Sequence, residues 1–317
     1  MWFTHLHIYR LHGEQMALPI EPGQTELDAL STALASRAFQ PCAEHQARSQ
    51  GWTPPAGRHS DQLAHEVSGH RLMTLMRQER LLPNQVIREE MDERVAEQER
   101  AQGYPPGKRE KQALKERIIE EMLPQAFTRS SRTDLWWDTR RGLIGINAAS
   151  AKRAEQALDA LRQTLGSLKV TPLAVATPPG RTMTSWLADP SARPEGLLLG
   201  EQVELRARAD DDGVIRAKAV DMDGEEIRTS IELGRQVSRM HMSIEGRMSF
   251  RLDGDLSLHS IGFDDALLDE ISEQTDPDSP IQSLETEFVL MAGTLAQSVE
   301  QLTEWLGGEA ESVQVTP

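Results

Sequence analysis

The histidines of this sequence could in principle hold a metal, but their spacing does not favour a metal site. The segment AHEVSGH at 64–70 places His65 and His70 five residues apart, with a glycine before the second. A zinc-peptidase helix needs two histidines four residues apart on one face, and any zinc site needs three or four ligands with supporting hydrogen bonds. His5 and His7 share one face of a predicted strand. We therefore interpret these histidines as ordinary strand or surface residues and predict no metal.

Other motifs with chemical potential also lack their partners. The DDDG segment at 210–213 and the DMDGEE segment at 221–226 lack the further ligands of a calcium loop, and aspartate with glycine suits tight turns. The chain contains no phosphate-binding glycine loop and no nucleophile elbow. Cys42, the sole cysteine, excludes an internal disulfide and suits a reducing cytoplasm. We predict that the protein is not an enzyme and binds no cofactor.

The charge of the chain is distributed unevenly. The formal net charge is -16, but residues 252–317 carry 15 acidic side chains and no lysine or arginine. Residues 1–251 carry 34 basic and 35 acidic side chains, so the rest of the chain is nearly neutral. Because the electrostatic field is a local property, an acidic isoelectric point does not exclude an anionic partner.

Two segments concentrate basic residues. Residues 127–153 hold six basic residues and two acids, and residues 228–251 hold five arginines and two glutamates. Such scattered cations bind a polyanion backbone without sequence preference, but they would equally suit solvated faces held by salt bridges. Trp136 and Trp137 must point to opposite faces of a strand, and a core role for at least one is favoured over base stacking. We expect the basic patches to converge on one surface, with the acidic C-terminal segment away from it.

Periodicity predicts an α+β protein built from antiparallel hairpins with packed helices, because strands follow one another more often than they alternate with helices. Residues 41–58 are predicted to be irregular. Two charged helices joined by a Pro/Gly turn, at 84–102 and 108–123, predict a helical hairpin that projects from the body. The predicted strands are 1–11, 62–67, 71–78, 132–137, 142–147, 201–208, 214–221, 235–244, 247–252 and 256–261. The other predicted helices are 25–36, 151–165, 182–188, 225–233, 263–272 and 287–306.

A series of short sequence blocks runs in order along the whole chain. The blocks are MWFTHLHIYRL at 1–11, AFQPC at 38–42, SQGWTPP at 49–55, LLP at 81–83, QGYPPG at 102–107, LKERIIEEMLPQAF at 114–127, INAAS at 146–150, MTSWLA at 183–188, GEEIR at 224–228, GRQVSRM at 234–240 and FVLMAGTLAQSVEQLTEWLGGE at 288–309. Taken together they resemble the RdgC family of bacterial recombination-associated DNA-binding proteins. No single block has a catalytic rationale, so the specificity of the resemblance comes from their number and order.

The resemblance implies a ring-shaped homodimer that encloses double-stranded DNA. Single-stranded DNA is a further candidate ligand. No apolar run reaches the roughly 20 residues that cross a bilayer, so we expect no membrane partner. The helical hairpin would form a tip contact at Phe127, and Arg235 with Gln236 would lie near a second contact at the base. The implied units are a central domain in two parts (1–80 and 127–180), the tip (81–126) and a base domain (181–317). The candidate DNA-contacting residues are Arg129, Arg132, Arg140, Arg141, Lys152, Arg235, Gln236, Arg239, Lys108, Lys111 and Lys115. The candidate dimer contacts are Phe127, Tyr104, Leu114 and Ile118.

Two functional hypotheses follow. The first is a cytoplasmic, nucleoid-associated protein that encircles DNA and limits recombination dependent on the RecA recombinase. The alternative is an acidic protein-interaction factor that acts on a recombinase or replication partner, with DNA binding incidental. A nuclease would need clustered carboxylates with a magnesium ion, and the sequence gives no positive support for one.

Overall fold

The computed structural model describes residues 2–13, 22–207, 213–274 and 279–310, without the side chains of 271–274. The aspartates at 210–212, for which we predict a turn, and the acidic residues Asp276, Asp278 and Glu311 of the C-terminal segment lie outside the described residues. The described helices are α1 (Glu26–Ala35), α2 (Asn84–Gln102), α3 (Lys108–Met122), α4 (Ala151–Leu165), α5 (Pro179–Ala188), α6 (Glu225–Glu232), α7 (Asp265–Gln274) and α8 (Pro280–Trp305).

The strands join into a single sheet in which every described pairing is antiparallel, in the order β2-β4-β5-β6-β1-β12-β11-β10-β8-β9. β3 pairs with β4, and β7 pairs with β1. The central strand β1 links the two halves of the sheet. The strands are β1 (His5–Leu11), β2 (Arg48–Thr53), β3 (Ala64–Val67), β4 (His70–Arg80), β5 (Thr128–Asp138), β6 (Leu143–Ile146), β7 (Val170–Pro172), β8 (Leu197–Arg206), β9 (Val214–Lys218), β10 (Gln236–Ile244), β11 (Met248–Asp253) and β12 (Leu258–Phe263).

The predicted α+β class is confirmed, and several local expectations need correction. β8 begins at Leu197 rather than 201, β1 begins at His5 rather than 1, β9 ends at Lys218 rather than 221, and β7 is absent from the predicted strands. Residues 41–58 are not wholly irregular, because β2 lies there as an edge strand paired with β4. The polar sequence of β2 gives little indication of a strand. Gly51 is required there because a Cβ at this position would lie 2.6 Å from the Phe39 backbone. β5 begins at Thr128 rather than 132, since it pairs along the full length of β4. α8 begins at Pro280 rather than 287.

Two apolar clusters lie on opposite faces of the sheet. On the first face, α5, α6 and α8 pack against strands from both halves. On the second face, α1 and α4 pack only against strands β1 to β7, which form the first half of the sheet. Trp136 lies in the first cluster and Trp137 in the second, and both are fully buried. The strand therefore uses both indoles as core, as alternation along β5 requires.

The hairpin of α2 and α3 extends from the ends of β4 and β5 and has little core of its own. Ile87 and Ile118 are the only buried residues within its two helices. Arg94 joins the helices through an ion pair to Glu121 at 2.7 Å. This composition explains why the hairpin can be recognised from sequence, since charged helices with so few apolar positions cannot enter a core.

The close packing of β6 gives a stability prediction. A Cβ at Gly145 would lie 2.6 Å from Trp136 and 2.7 Å from Leu6. We expect Gly145→Ala to lower the free energy of unfolding by about 1–3 kcal/mol, because extra atoms force a packed core to shift. Urea unfolding measures this change.

Gly293→Ala is the matched control, since it adds the same methyl group within α8 where no atom lies within 4 Å of the new Cβ. We expect it to leave stability unchanged or raise it by about 0.4–1 kcal/mol, because alanine restricts the unfolded chain. Equal unfolding free energies for the two variants would contradict the packing account.

Candidate nucleic-acid interface

One half of the sheet carries a surface with no apolar cover. In the described part of the chain, neither apolar cluster includes side chains from the second face of β12, β11, β10, β8 and β9. We call this surface the open face. Most of its side chains are polar or charged, because alternation turns most apolar residues of these strands towards α5, α6 and α8. Leu198 and Val214 are exposed apolar exceptions, since they pair with Ser243 and Arg206 of this face.

Arginines from four adjacent strands meet on the open face around two carboxylates. Arg239 binds Asp253 at 2.9 Å and approaches Glu204 at 3.7 Å. Arg251 also binds Asp253, at 2.7 Å. The remaining pairs join Glu204 to Arg216 at 2.8 Å and to Arg206 at 3.0 Å. We call Arg206, Arg216, Arg239 and Arg251 the arginine patch.

The two carboxylates hold the patch in place without cancelling its charge. Burial by itself raises the pKa of Glu204, but hydrogen bonds from Ser238, Arg216 and Arg206 outweigh it and lower the pKa to about 2. Glu204 therefore stays ionised at neutral pH. Four guanidinium groups against two carboxylates leave an excess of two positive charges, to which Lys218 in the same cavity adds another.

The sequence-predicted residues of the second basic segment lie at or near this patch. Arg239 belongs to it, and Gln236 pairs directly with Arg206 across β10 and β8. Arg235 has a different role in the described structure, because its Nη1 donates a hydrogen bond to the carbonyl oxygen of Gly213 at 2.9 Å. That bond joins the end of α6 to the beginning of β9.

Arg129 and Lys152 lie on the second face too, but in the half that α4 covers. Arg129 follows the alternation set by Trp137 and forms an ion pair with Glu79 on β4. Lys152 is exposed in the first turn of α4, and no described residue forms an ion pair with it.

The other candidate arginines of this segment, Arg132, Arg140 and Arg141, do not join them. By alternation Arg132 projects from the first face, where its Nη2 donates to the Pro55 carbonyl oxygen at 3.0 Å. Arg140 is exposed in the turn after β5. Arg141 pairs with Glu300 of α8 at 3.0 Å. This basic segment is thus divided between the two sides of the sheet rather than gathered on one.

The expected separation of the acidic C-terminal segment from the basic residues is wrong at several positions. Glu300 of that segment pairs with the candidate Arg141, and the charge of Asp255 acts on His7 at the border of the open face. Asp253 belongs to that segment, yet it lies on the open face between Arg239 and Arg251. The cause is topological, because β11 ends within the arginine patch.

The helical hairpin carries the remaining candidates. Lys108, Lys111 and Lys115 are exposed along α3, and no described residue forms an ion pair with them. Of the candidate dimer contacts, Phe127 is 85% exposed and Tyr104 58% exposed. Leu114 is half-buried and Ile118 fully buried, so Ile118 already packs within its own chain.

Sequence reasoning missed part of the open face. Arg206, Arg216 and Lys218 are not among the sequence-based candidates, and Arg251 enters the sequence analysis only as one of the five arginines of residues 228–251. Their signal is the alternation of apolar and basic residues along β8, β9 and β11, which assigns a face to each strand but cannot say which strands become neighbours. His5 and His7, interpreted as ordinary strand residues, lie at the border of this face, where His5 pairs with His259 of β12.

Two searches of the described residues bear on other kinds of site. No group of three or more histidine, cysteine, aspartate or glutamate side chains among them is arranged to hold a metal ion. None of the described helices combines the length and apolar character needed to span a membrane.

The fold and the site define an α+β protein whose antiparallel sheet carries an arginine-rich open face and a projecting helical hairpin. A family model with the description "Putative exonuclease, RdgC" matches residues 1–309, and the chain belongs to the RdgC family. It is similar to the recombination-associated protein RdgC of Salmonella typhimurium, Salmonella typhi and Salmonella newport. Each is 37% identical over 98% of this chain and 99% of the relative. The family description names an exonuclease and the relatives are named for recombination, and neither name shows a catalytic activity for this chain.

Proposed function

We propose that this protein binds double-stranded DNA without sequence preference through the arginine patch, and that it does so as a homodimer enclosing the duplex. In the cell it would occupy DNA on the nucleoid and so limit recombination dependent on RecA. The names of its relatives support a role in recombination. The surplus of guanidinium groups on the open face is the observation that carries DNA binding.

The patch is suited to phosphates rather than to base edges. The arginine side chains are 35–66% exposed although each contacts a carboxylate. A guanidinium group has five N–H donors, so donors remain available for a phosphate oxygen. The patch lies on a broad sheet face and not on a helix or narrow ribbon that could enter a major groove. This geometry favours binding to the DNA backbone.

Phe127 supports the homodimer. Phe127 is 85% exposed where the charged hairpin joins the sheet, and Leu81 beside it is 42% exposed. Together they offer apolar area that contact with a second copy would remove from water. The Phe127 carbonyl oxygen accepts a hydrogen bond from the Leu81 amide at 2.7 Å, which fixes the backbone and leaves the ring free to contact a second copy.

A salt series tests DNA binding. We expect the affinity for a random-sequence duplex to fall steeply as salt rises, by a slope of about 0.9 per neutralised phosphate in a plot of log K against log salt. Fluorescence anisotropy with duplexes of unrelated sequence measures this affinity. A single-stranded oligonucleotide of equal length tests whether the protein also binds single-stranded DNA. Affinity that ignores salt, or no binding at low salt, would overturn the proposal.

The same mixtures distinguish the two other hypotheses. Shortening of end-labelled duplex in the presence of magnesium would support the exonuclease description, whereas we expect the DNA to stay intact. If a variant that no longer binds DNA still inhibits RecA-driven strand exchange, the protein-interaction factor is the better account.

A further inference from the structure

Three histidines and one arginine form a continuous row across four strands of the open face. His5 pairs with His259, His259 with Arg251, and Arg251 with His241. Directly opposed residues of neighbouring strands share a face, so all four side chains project from the same side. Strands lie about 4.8 Å apart, which gives the row a length of about 14 Å. We call these four residues the histidine row.

The contact between His5 and His259 requires at least one neutral imidazole ring. His259 Nδ1 lies 3.2 Å from His5 Nδ1, and a hydrogen bond between two such nitrogens requires one of them to be deprotonated. His259 Nε2 lies 3.0 Å from Ser257 Oγ. The neighbouring ring of His7 packs edge-on against His259 at 5.8 Å, and its buried Nε2 has no hydrogen-bond partner among the described residues. The cluster therefore holds unused capacity for protons.

At the other end of the histidine row, the ring of His241 fits over a glycine of the neighbouring strand. A Cβ at Gly200 would lie 2.5 Å from His241 Nδ1, so the glycine of β8 provides the space that this ring occupies. Arg251 stands between His241 and His259 and is anchored by Asp253 at 2.7 Å. The row thus has a fixed cation at its centre and titratable rings on both sides.

The surroundings keep the rings neutral when no ligand is bound. Burial is the largest cause of a lowered pKa at His5, His7, His241 and His259. The positive charge of Arg251 lowers the pKa of His5, His241 and His259 further.

Carboxylates around the cluster oppose these effects without reversing them. Asp253 raises the pKa of His259, and Asp255, Asp253 and Glu155 of α4 raise that of His7. In both rings burial prevails, and the net direction is downward. An additional anion above the row would supply the negative charge that protonated rings require.

We propose that the histidine row is a phosphate-binding site of the DNA surface and that it takes up protons when the duplex binds. The inference rests on the proposed function, since the DNA backbone is the phosphate source to which it commits. A phosphate beside Arg251 favours the protonated form of the rings. The protonated rings in turn bind the phosphate more tightly. DNA affinity is therefore linked to pH through these side chains.

The sign of the linkage is fixed by the two states. In free protein the ring pKa values lie below the ordinary value of about 6.5, and bound phosphate raises them. At pH values between the free and the bound ring pKa, the DNA-bound protein holds more protons than the free protein. The affinity for DNA therefore rises as the pH falls through this range. One fully linked proton gives about a tenfold gain in affinity for each pH unit.

The test measures duplex affinity at constant salt between about pH 8 and pH 5, because ring pKa values that start below the ordinary 6.5 leave part of the titration below pH 6. We compare the unmodified protein with the double variant His5→Gln/His259→Gln and with the control His45→Gln/His59→Gln, whose residues are exposed and lie outside the open face. The unmodified protein and the control are expected to gain about three- to tenfold in affinity per pH unit, and the double variant to lose most of this gain. Equal pH dependence in all three proteins would overturn the inference.

A second measurement needs no variant. Histidine ring resonances followed by NMR across the same pH range should titrate at higher pH with duplex than without it, and inorganic phosphate serves as a separate probe. The inference would be overturned if duplex leaves the ring titration unchanged, including the case in which inorganic phosphate shifts the titration and duplex does not. Salt-dependent DNA binding without these shifts would leave the proposed function standing, whereas no DNA binding at any pH would remove both.

Discussion

Replacing Arg216 and Lys218 together by glutamine is expected to weaken duplex binding by about tenfold or more at moderate salt and to make the salt slope shallower by about 1.8. Both side chains line the same cavity of the open face. Glu204 keeps its contacts with Arg206, Arg239 and Ser238 in this variant, so the loss of two cations does not leave a buried carboxylate without partners. Fluorescence anisotropy over a salt series gives both quantities.

The matched control removes the same charge from the opposite side. Arg181 on α5 and Arg228 on α6 are exposed, and both helices cover the first face. We expect Arg181→Gln/Arg228→Gln to bind DNA nearly as tightly as the unmodified protein with an unchanged slope. Equal losses in the two double variants would mean that net charge matters rather than the patch, and the open face would no longer be the favoured interface.

Phe127→Ala is expected to weaken the homodimer by about 2 kcal/mol or more, which corresponds to about a thirtyfold increase in its dissociation constant. The ring is 85% exposed, so its removal leaves no cavity within the chain. The backbone bond between Leu81 and Phe127 does not involve the side chain and should persist. Analytical ultracentrifugation measures dimer dissociation, and retention on closed circular DNA reports whether the protein still encloses a duplex.

Ile281→Ala is a suitable control because Ile281 is a partly exposed apolar residue at the start of α8, 38% exposed and distant in sequence from the hairpin. It should dimerise as the unmodified protein does. A Phe127→Ala protein that dimerises normally and stays on circular DNA would contradict the enclosing homodimer, while leaving DNA binding by the arginine patch open.

The helical hairpin shows what local sequence can determine. Its charged composition, the Pro/Gly turn at 103–107 and the absence of a broad apolar stripe are visible without coordinates. Alternation along β5 likewise determines that Trp136 and Trp137 point to opposite faces, since successive side chains of a strand always do. β2 escaped prediction because an edge strand with one large apolar residue, Trp52, has little periodic signal.

The sequence by itself determined the α+β class, most helices and the alternation of faces along the strands that it predicts. The tertiary structure alone decided which strands are neighbours. Pairing of β1 with β12 and of β10 with β8 brings His5, Arg239 and Arg216 onto one face although they are far apart in the chain. It also places Arg132 on the other side of the sheet from Arg129. Strand periodicity is a local property, whereas strand order depends on the joint burial of two apolar faces, and that burial cannot be evaluated one segment at a time.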